Sequence, residues 1–416
     1  MHFIKSLVPQ SIKNIYHLAQ AILANVWYGF PARKLNIIGV TGTDGKTTTV
    51  QFIARIFEEA NQKVALASTI NFKIGEKEWV NTSKHTTLGS FAVQKFLKQA
   101  LQEKCDVVIL ETASHALDQY RVWGIKYAVA VITNVTREHL DYHKTMKRYR
   151  RAKKRLFENA KTAVVNLDME NPEEFLRGKY EKKITYSTRE PMAQVLAQNI
   201  LLRLDGSTFL IENQTFELAL PGMFTIENAL AAVSVGMAQG IDMAVMARAL
   251  KKITGVPGRM EKIINTRGIE ILIDYAVTPN ALEKLYELVS EMKPRTTSKI
   301  IAVLGACGDR DRGKRPIMGE IVSSYADVII LTNEDPYYEN PHRIINEIAK
   351  GIIGKKRGKN YFHIMNRRQA IMKALKLAQE GDVVVITGKG AEESMAIGKQ
   401  RIAWNDKRTV MEVLSV

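Results

Sequence analysis

Cysteine is nearly missing from this chain: Cys105 and Cys307 are the only two in 416 residues, far apart and each beside an apolar run. That excludes a disulfide framework and a cysteine-rich zinc site, and fits buried free thiols in a reducing compartment. The N-terminus lacks the compact cationic start, short apolar core and small-residue cleavage site of a signal peptide, so a cytoplasmic protein is expected. Internal repeats and low-complexity tracts are absent. With 46% hydrophobic and 25% charged residues the composition is globular, not disordered. Acidic residues are in short supply, 43 against 60 Lys and Arg, for a formal charge of +17. Such a chain attracts polyanions. No zinc knuckle, helix-turn-helix or aromatic-interleaved basic motif is present, so nucleic acid is not an expected partner. An anionic membrane or phosphorylated small molecules would fit the charge, and solubility with a fondness for nucleotide substrates fits it equally.

The length suits two or three domains. Residues 1–34 stand apart. The stretch Ile15 to Pro31 has no Lys, Arg, Asp or Glu and closes on Trp27, Tyr28 and Phe30, followed by Arg33 and Lys34. It is slightly short for a membrane span. A helix packed on the next domain fits it better than a helix lying on the inner face of a membrane, though both are open. From Leu35 onward, strand-like runs (Leu35–Thr41, Val107–Glu111, Val129–Thr133, Ala163–Asn166) alternate with amphipathic stretches such as Thr47–Ala60 and Gly89–Gln102. Alternation of this kind predicts an α/β fold with a mostly parallel sheet. A second set follows at Ile269–Asp274, Ile300–Gly305, Val328–Thr332 and Val383–Thr387. Between the sets, Gly255–Arg259 (GVPGR) breaks any helix and reads as a hinge. The expected division is 1–34, a short apolar helical segment; 35–256, a central nucleotide-binding domain; and 257–416, a C-terminal α/β domain.

Chemistry is most legible in Gly39–Thr49 (GVTGTDGKTTT). A strand-like run feeds a loop with Gly42 and Gly45, and a helical run follows. Backbone N–H groups of such a loop and the helix N-terminus cradle phosphate. Lys46 would reach the terminal phosphates and Thr47 a Mg²⁺ ion. Val40 stands where the general pattern has a further glycine. Glu111 ends a strand-like run, where an acid can bind the phosphate-bridging metal. Thr133–His143 (TNVTREHLDYH) adds His139, Asp141 and His143 after another strand. Tyr149–Phe157 (YRRAKKRLF) reads, by charge alone, as a solvated basic helix face. In the second half, three strand-end loops converge: Gly305–Arg315 (GACGDRDRGKR), Thr332–Pro341 (TNEDPYYENP) and Gly388–Glu392 (GKGAE). One is basic and one acidic. A zwitterionic or diamino ligand could place its carboxylate toward Arg310 and its ammonium toward Glu334 or Asp335.

Read in order, TGTDGKTTT, HTTLGS, ETASHALDQYR, TNVTREHLDYHKT, YRRAKKRLF, GMFTIENALAA, GVPGRME, DYAVTPNALE, GDRDRGKRPIM, TNEDP and GKGAE resemble the Mur ligases, in the UDP-N-acetylmuramoyl-tripeptide synthetase branch. The resemblance runs from about residue 35 to the C-terminus. It implies a central P-loop ATPase domain, a Rossmann-like C-terminal domain, ATP and Mg²⁺ as cofactors, and a monomeric enzyme of peptidoglycan precursor synthesis. The substrates implied are ATP, an amino acid and a muramoyl-peptide whose carboxylate is phosphorylated and then attacked by an amine. Carried onto matching positions, Gly42, Thr43, Asp44, Gly45, Lys46, Thr47 and Thr48 line the phosphate loop. Thr47, Glu111, His139 and Lys153 are implied at metal, with Lys153 in the place of a carbamylated lysine. Lys46, Glu111, His139 and Lys153 are the implied catalytic set. Asn228 matches an adenine contact, Arg259 a hinge nucleotide contact and Asp274 a ribose contact. Thr86, Thr87, Ser114 and Arg121 match contacts to the muramyl-peptide. Arg310, Asp335, Gly388 and Glu392 match the incoming amino-acid pocket.

The chain departs from that pattern in four places. Thirty-four residues are too few for the family's UDP-binding domain. Val277 and Ala391 replace histidines of DYAHTP and GKGHE. Where diaminopimelate-adding members carry DNPR, this chain has Glu334-Asp335-Pro336-Tyr337. Tyrosine cannot make arginine's bidentate pair with a distal carboxylate, so lysine or ornithine is the expected amino acid. The alternatives are a folylpolyglutamate-synthetase-like ligase, a ligase of a lipid-linked precursor, and a P-loop binding protein without ligase activity.

Overall fold

The computed structural model describes residues 10–203 and 205–415, so residues 1–9 of the expected N-terminal segment lie outside the described residues. The chain divides into two compact units. One comprises residues up to Val135 together with Lys147–Thr254; the other comprises Thr136–Met146 and Gly255–Val416.

The first unit is built on nine strands: β1 (Asn36–Thr41), β2 (Val64–Ala67), β3 (Asn71–Ile74), β4 (Lys77–Val80), β5 (Val107–Glu111), β6 (Tyr127–Ile132), β7 (Ala160–Asn166), β8 (Lys182–Ser187) and β9 (Val195–Leu196). Their order is β4-β3-β2-β5-β1-β6-β7-β8-β9, parallel throughout except for the β3–β4 edge. β1 is central, and its Ile37, Ile38 and Val40 are fully buried, as a strand covered on both faces requires. The chain builds β2 to β5 on one side of β1 and then crosses to β6 on the other, so the carboxyl end of β1 opens at a switch point. The helices Lys46–Glu59 and Met223–Ala238 pack on this sheet with Val50, Ile53, Phe57, Ile226 and Leu230 buried. A small antiparallel sheet, β10 (Gln198–Arg203), β11 (Gly206–Ile211) and β12 (Gln214–Leu218), follows β9. The sequence reading missed this meander, because its short alternating strands offer no long apolar run.

The second unit orders β13 (Glu261–Ile263), β14 (Glu270–Asp274), β15 (Ile300–Leu304), β16 (Val328–Leu331), β17 (Tyr361–His363) and β18 (Val383–Thr387) as β13-β14-β18-β15-β16-β17. Only β13 runs antiparallel. The two-stranded β19 (Ser394–Ile397) and β20 (Gln400–Ala403) follow.

Three readings of local structure change. The apolar N-terminal helix spans Gln10–Tyr28, and it turns small residues inward: Ala21, Ala24 and Asn25 are buried while Ile15, Leu23 and Trp27 are exposed. Tyr149–Phe157 is not simply a solvated basic face, since Tyr149, Ala152, Lys153, Leu156 and Phe157 are buried. Cys105 is buried but Cys307 is only partly so.

Buried arginines fasten the second unit. Arg367 and Asp406 are both 0% exposed and bidentate, at 2.8 and 2.6 Å, and Arg367 also donates to the Thr387 carbonyl at 2.8 Å. Removing one partner of such a pair strands a buried charge. Arg367→Met is expected to destabilise the protein by about 3–5 kcal/mol, read from urea unfolding monitored in the second unit. A loss under about 1 kcal/mol would show the pair to be dispensable.

Candidate active site

The phosphate loop owes its shape to its neighbours. It leaves β1 at Thr41 and enters the helix Lys46–Glu59 through Gly45, which has φ +81°. Thr43 N–H donates to the Asn134 carbonyl at 3.0 Å, Asp44 N–H to Asn134 Oδ1 at 2.9 Å, and Thr133 Oγ1 to the Asp44 carbonyl at 2.6 Å. A Cβ on Gly42 would come within 1.8 Å of Thr133 Oγ1, so only glycine fits there. Lys153 Nζ, buried over the Tyr149 ring, donates to the Gly42 carbonyl at 2.5 Å. Lys46 Nζ folds back onto the Thr43 carbonyl at 2.8 Å. Thr48, which the sequence reading puts in the loop, is buried in the helix's first turn. Asn228 lies against this loop: its Oδ1 accepts from Thr49 Oγ1 at 3.2 Å and faces Gly45.

Glu111, at the carboxyl end of β5, is buried. Its Oε1 accepts from Thr47 Oγ1 at 3.1 Å and from Thr69 Oγ1 at 2.9 Å; Oε2 accepts from Thr69 N–H at 2.7 Å. Two adjacent oxygen ligands of octahedral Mg²⁺, each about 2.1 Å from the metal, stand about 3 Å apart. The Thr47–Glu111 oxygen pair meets that spacing, so the residues fit the ion. No group of three or more His, Cys, Asp and Glu side chains able to hold a metal occurs among the described residues. The remaining ligands would come from phosphate and water.

Next to Glu111, Thr87 Oγ1 donates to the Glu111 carbonyl and accepts from Ala113 N–H, both at 2.9 Å. Arg121 Nη1 donates to the Thr87 carbonyl at 3.1 Å, and Thr86 Oγ1 is 3.2 Å from Thr69 Oγ1. Ser114 opens the helix Ser114–Asp118 and is buried. The structure thus gathers Thr86, Thr87, Ser114 and Arg121 around the strand that carries Glu111. Sequence reasoning missed Thr69 and Asn134, which shape the carboxylate and the loop. Thr69 has no motif of its own, and Asn134 lies inside TNVTREHLDYH without a role that the motif makes visible.

His139, Asp141 and His143 belong to the segment grouped with the second unit. His139 takes a left-handed backbone (φ +56°) and its Nδ1 is 3.9 Å from Glu138. Burial pushes the Asp141 carboxyl up, with Arg310 opposing. Glu138 is held by Lys314 at 2.9 and 3.0 Å.

The second unit's strand-end loops are tied by buried ion pairs. Lys389, fully buried, contacts both Asp335 oxygens at 3.0 Å and also bonds Glu392. Ala396 N–H adds a third hydrogen bond to Asp335, at 2.7 Å. Arg315, also fully buried, clasps Glu339 and Glu347 at 2.7 Å. Much of the charge in 305–315 and 332–341 is therefore internal. Glu334 differs. Its Oε1 accepts from Cys307 Sγ at 2.9 Å, but its buried Oε2 has no hydrogen-bond partner among the described residues. Burial, foremost, and the Asp335 charge push its carboxyl above the usual range. Gly388 (φ +107°) faces it: a Cβ there would lie 2.5 Å from Oε2. Arg310 lies 5.5 Å over the Tyr337 ring. Arg259 lies 4.4 Å over the Tyr275 ring, and Tyr275 Oη donates to Glu392 at 3.4 Å. Asp274 accepts from Met260 and Ala276 N–H, both at 2.7 Å.

Comparison with known proteins agrees with this geometry. The Mur ligase middle domain matches residues 40–236, and the Mur ligase glutamate ligase domain matches residues 258–390. A UDP-N-acetylmuramyl-tripeptide synthetase of Roseiflexus sp. is 38% identical over 421 residues, covering 96% of this chain and 82% of the relative. A UDP-N-acetylmuramoyl-L-alanyl-D-glutamate–2,6-diaminopimelate ligase of Syntrophomonas wolfei is 37% identical over 405 residues, covering 95% and 81%. A solved structure of a ligase with the latter name superposes with a TM-score of 0.61 at 34% identity, over 92% of this chain and 78% of that one. With a phosphate loop, a strand-end carboxylate and a second α/β unit in that arrangement of sequence, the chain belongs to the Mur ligase family of ATP-dependent acid–amino-acid ligases.

Proposed function

We propose that this enzyme uses ATP and Mg²⁺ to join a diamino acid, lysine or ornithine in preference to diaminopimelate, to the terminal carboxylate of a muramoyl-peptide. The observation that carries the choice of a diamino acid is Glu334 Oε2, a buried carboxylate oxygen with no hydrogen-bond partner among the described residues. Asp335, the other candidate, already accepts three hydrogen bonds. An ammonium at Glu334 would satisfy that oxygen, and Arg310 would take the amino acid's carboxylate. Tyr337 stands where diaminopimelate-adding members have arginine, and a phenol cannot pair with a second carboxylate. The curated relatives named for diaminopimelate support the rival choice.

The reaction follows from the groups. A carboxylate is a poor electrophile. Its oxygen attacks the γ-phosphorus of ATP, giving an acyl phosphate and ADP. The amine of the amino acid then attacks the acyl carbon, loses a proton and expels phosphate, leaving an amide. Lys46 and the loop's N–H groups would hold the triphosphate, with Asn228 beside them. Thr47 and Glu111 would hold Mg²⁺, which supplies charge neutralisation during phosphoryl transfer. Thr86, Thr87, Ser114 and Arg121 would position the acceptor carboxylate. His139 and Lys153 remain proposed contributors to charge placement. Lys153 also shapes the loop through the Gly42 carbonyl.

With ATP, muramoyl-dipeptide and one amino acid at a time, phosphate release and amide formation by mass spectrometry should favour lysine or ornithine over diaminopimelate by at least about tenfold in kcat/KM. Faster turnover with diaminopimelate would reject the assignment. The Glu334 carboxyl must ionise to pair with an ammonium, so KM for the amino acid should fall as pH rises through its raised pKa. Glu334→Gln should flatten that dependence; an unchanged profile would remove Glu334 from the site. Gly388→Ala, crowding Oε2, should raise KM for the amino acid at least about tenfold and leave KM for ATP within about twofold. Equal effects on both would place Gly388 elsewhere in function.

A further inference from the structure

The helix Gln10–Tyr28 is packed inside out. Ala21, Ala24 and Asn25 are at most 1% exposed, and Asn25 Nδ2 bonds the Ala21 and Trp123 carbonyls at 2.9 and 3.1 Å. The large apolar side chains face away: Ile15 is 69% exposed, Tyr16 62%, Leu23 56%, Val26 59% and Trp27 74%. At 100° per residue these five fall within an arc of about 120° on the face opposite Ala21, Ala24 and Asn25. A continuous apolar stripe of this kind is rare on a protein surface unless something covers it.

The helix and the segment after it carry cations only, although Asp118 of the neighbouring helix accepts from Asn14 Nδ2 at 3.2 Å. The first 43 residues contain Lys5, Lys13, Arg33 and Lys34 and no Asp or Glu. Past its C-terminal end the helix delivers Phe30, Ala32, Arg33 and Lys34 to the wall of a cavity of about 1200 Å³. Lys126, Arg151, Arg155 and Lys161 line the same cavity, with Glu158 the one acid among its lining residues. Arg155 is shared with Asp118 at 3.3 Å. The cavity lies by the amino ends of β1 and β6, whereas the phosphate loop leaves β1 at its carboxyl end.

We propose that the outward face of Gln10–Tyr28, together with the basic cavity that follows it, docks this enzyme on an anionic lipid bilayer. An exposed tryptophan and tyrosine among aliphatic side chains, bordered by cations, suits the headgroup boundary. Arg155 and Lys161 already face Asp118 and Glu181, but a neutral apolar partner would cover the stripe and leave Arg33, Lys34, Lys126 and Arg151 without a carboxylate; anionic headgroups answer both. No helix among the described residues is long and apolar enough to cross a membrane, so the mode is surface attachment. The inference is independent of which amino acid the enzyme adds.

The test is co-sedimentation of the full chain with phosphatidylcholine vesicles, alone and mixed with phosphatidylglycerol. Leu23→Asp/Trp27→Asp and Arg33→Glu/Lys34→Glu serve as variants, each first shown to keep the parent's circular dichroism and melting temperature. The parent should bind the anionic vesicles at least about tenfold more strongly than the neutral ones, and each variant should lose at least about tenfold. Failure to bind anionic vesicles, or binding that both variants retain, overturns the proposal. So does a concentration-dependent dimer abolished by Leu23→Asp/Trp27→Asp, which would make a second copy the occupant.

Discussion

Satisfying the backbone of one turn organises the nucleotide end of the first unit. A phosphate loop must aim its N–H groups at a ligand, so it cannot close on itself as a helix or strand does. Here the fixed points come from outside the loop. Thr133 and Asn134, just beyond β6, bind its backbone at residues 43 and 44, and buried Lys153 holds the Gly42 carbonyl. β6 and the helix Met146–Lys154 are thereby coupled to β1. The same strand ends set the Thr47–Glu111 oxygen pair at magnesium spacing. The loop's shape is held by the protein's own groups, which lowers the ordering cost of binding.

The second unit solves a different problem. It concentrates charge at the carboxyl ends of its strands, and most of that charge is consumed internally. Lys389, Arg315 and Arg367 are fully buried and each holds one or more carboxylates. Such pairs add little net stability over apolar packing, but losing one partner is expensive, so they define a single arrangement of the loops. Glu334 is the exception, since its Oε2 is buried with no hydrogen-bond partner among the described residues.

Much of the fold was legible because β1, β5, β15 and β18 are short, strongly apolar runs with clear breakers. Val107–Glu111 and Val383–Thr387 coincide with the strands observed. The meander β10–β12 and the edge strands β3 and β4 were not legible, since half-exposed strands carry too weak a pattern. Ordered motifs brought the phosphate loop, Glu111, the Thr86–Arg121 group and the second-unit loops to notice. They could not reveal Thr69, or what Asn134 of TNVTREHLDYHKT does, because those roles exist only where separate strands end side by side.

By itself the sequence determined the phosphate loop, the alternation that makes two α/β units, and the tyrosine and acids in place of an arginine motif. These are local patterns, written in consecutive residues. Tertiary structure alone decided that Asp335 is neutralised by Lys389 while Glu334 is not, that Lys153 is buried beneath the loop, and that the N-terminal helix turns its alanines inward and its tryptophan outward. Charge and hydropathy are properties of a residue, but whether they are satisfied depends on which distant groups the fold places beside them.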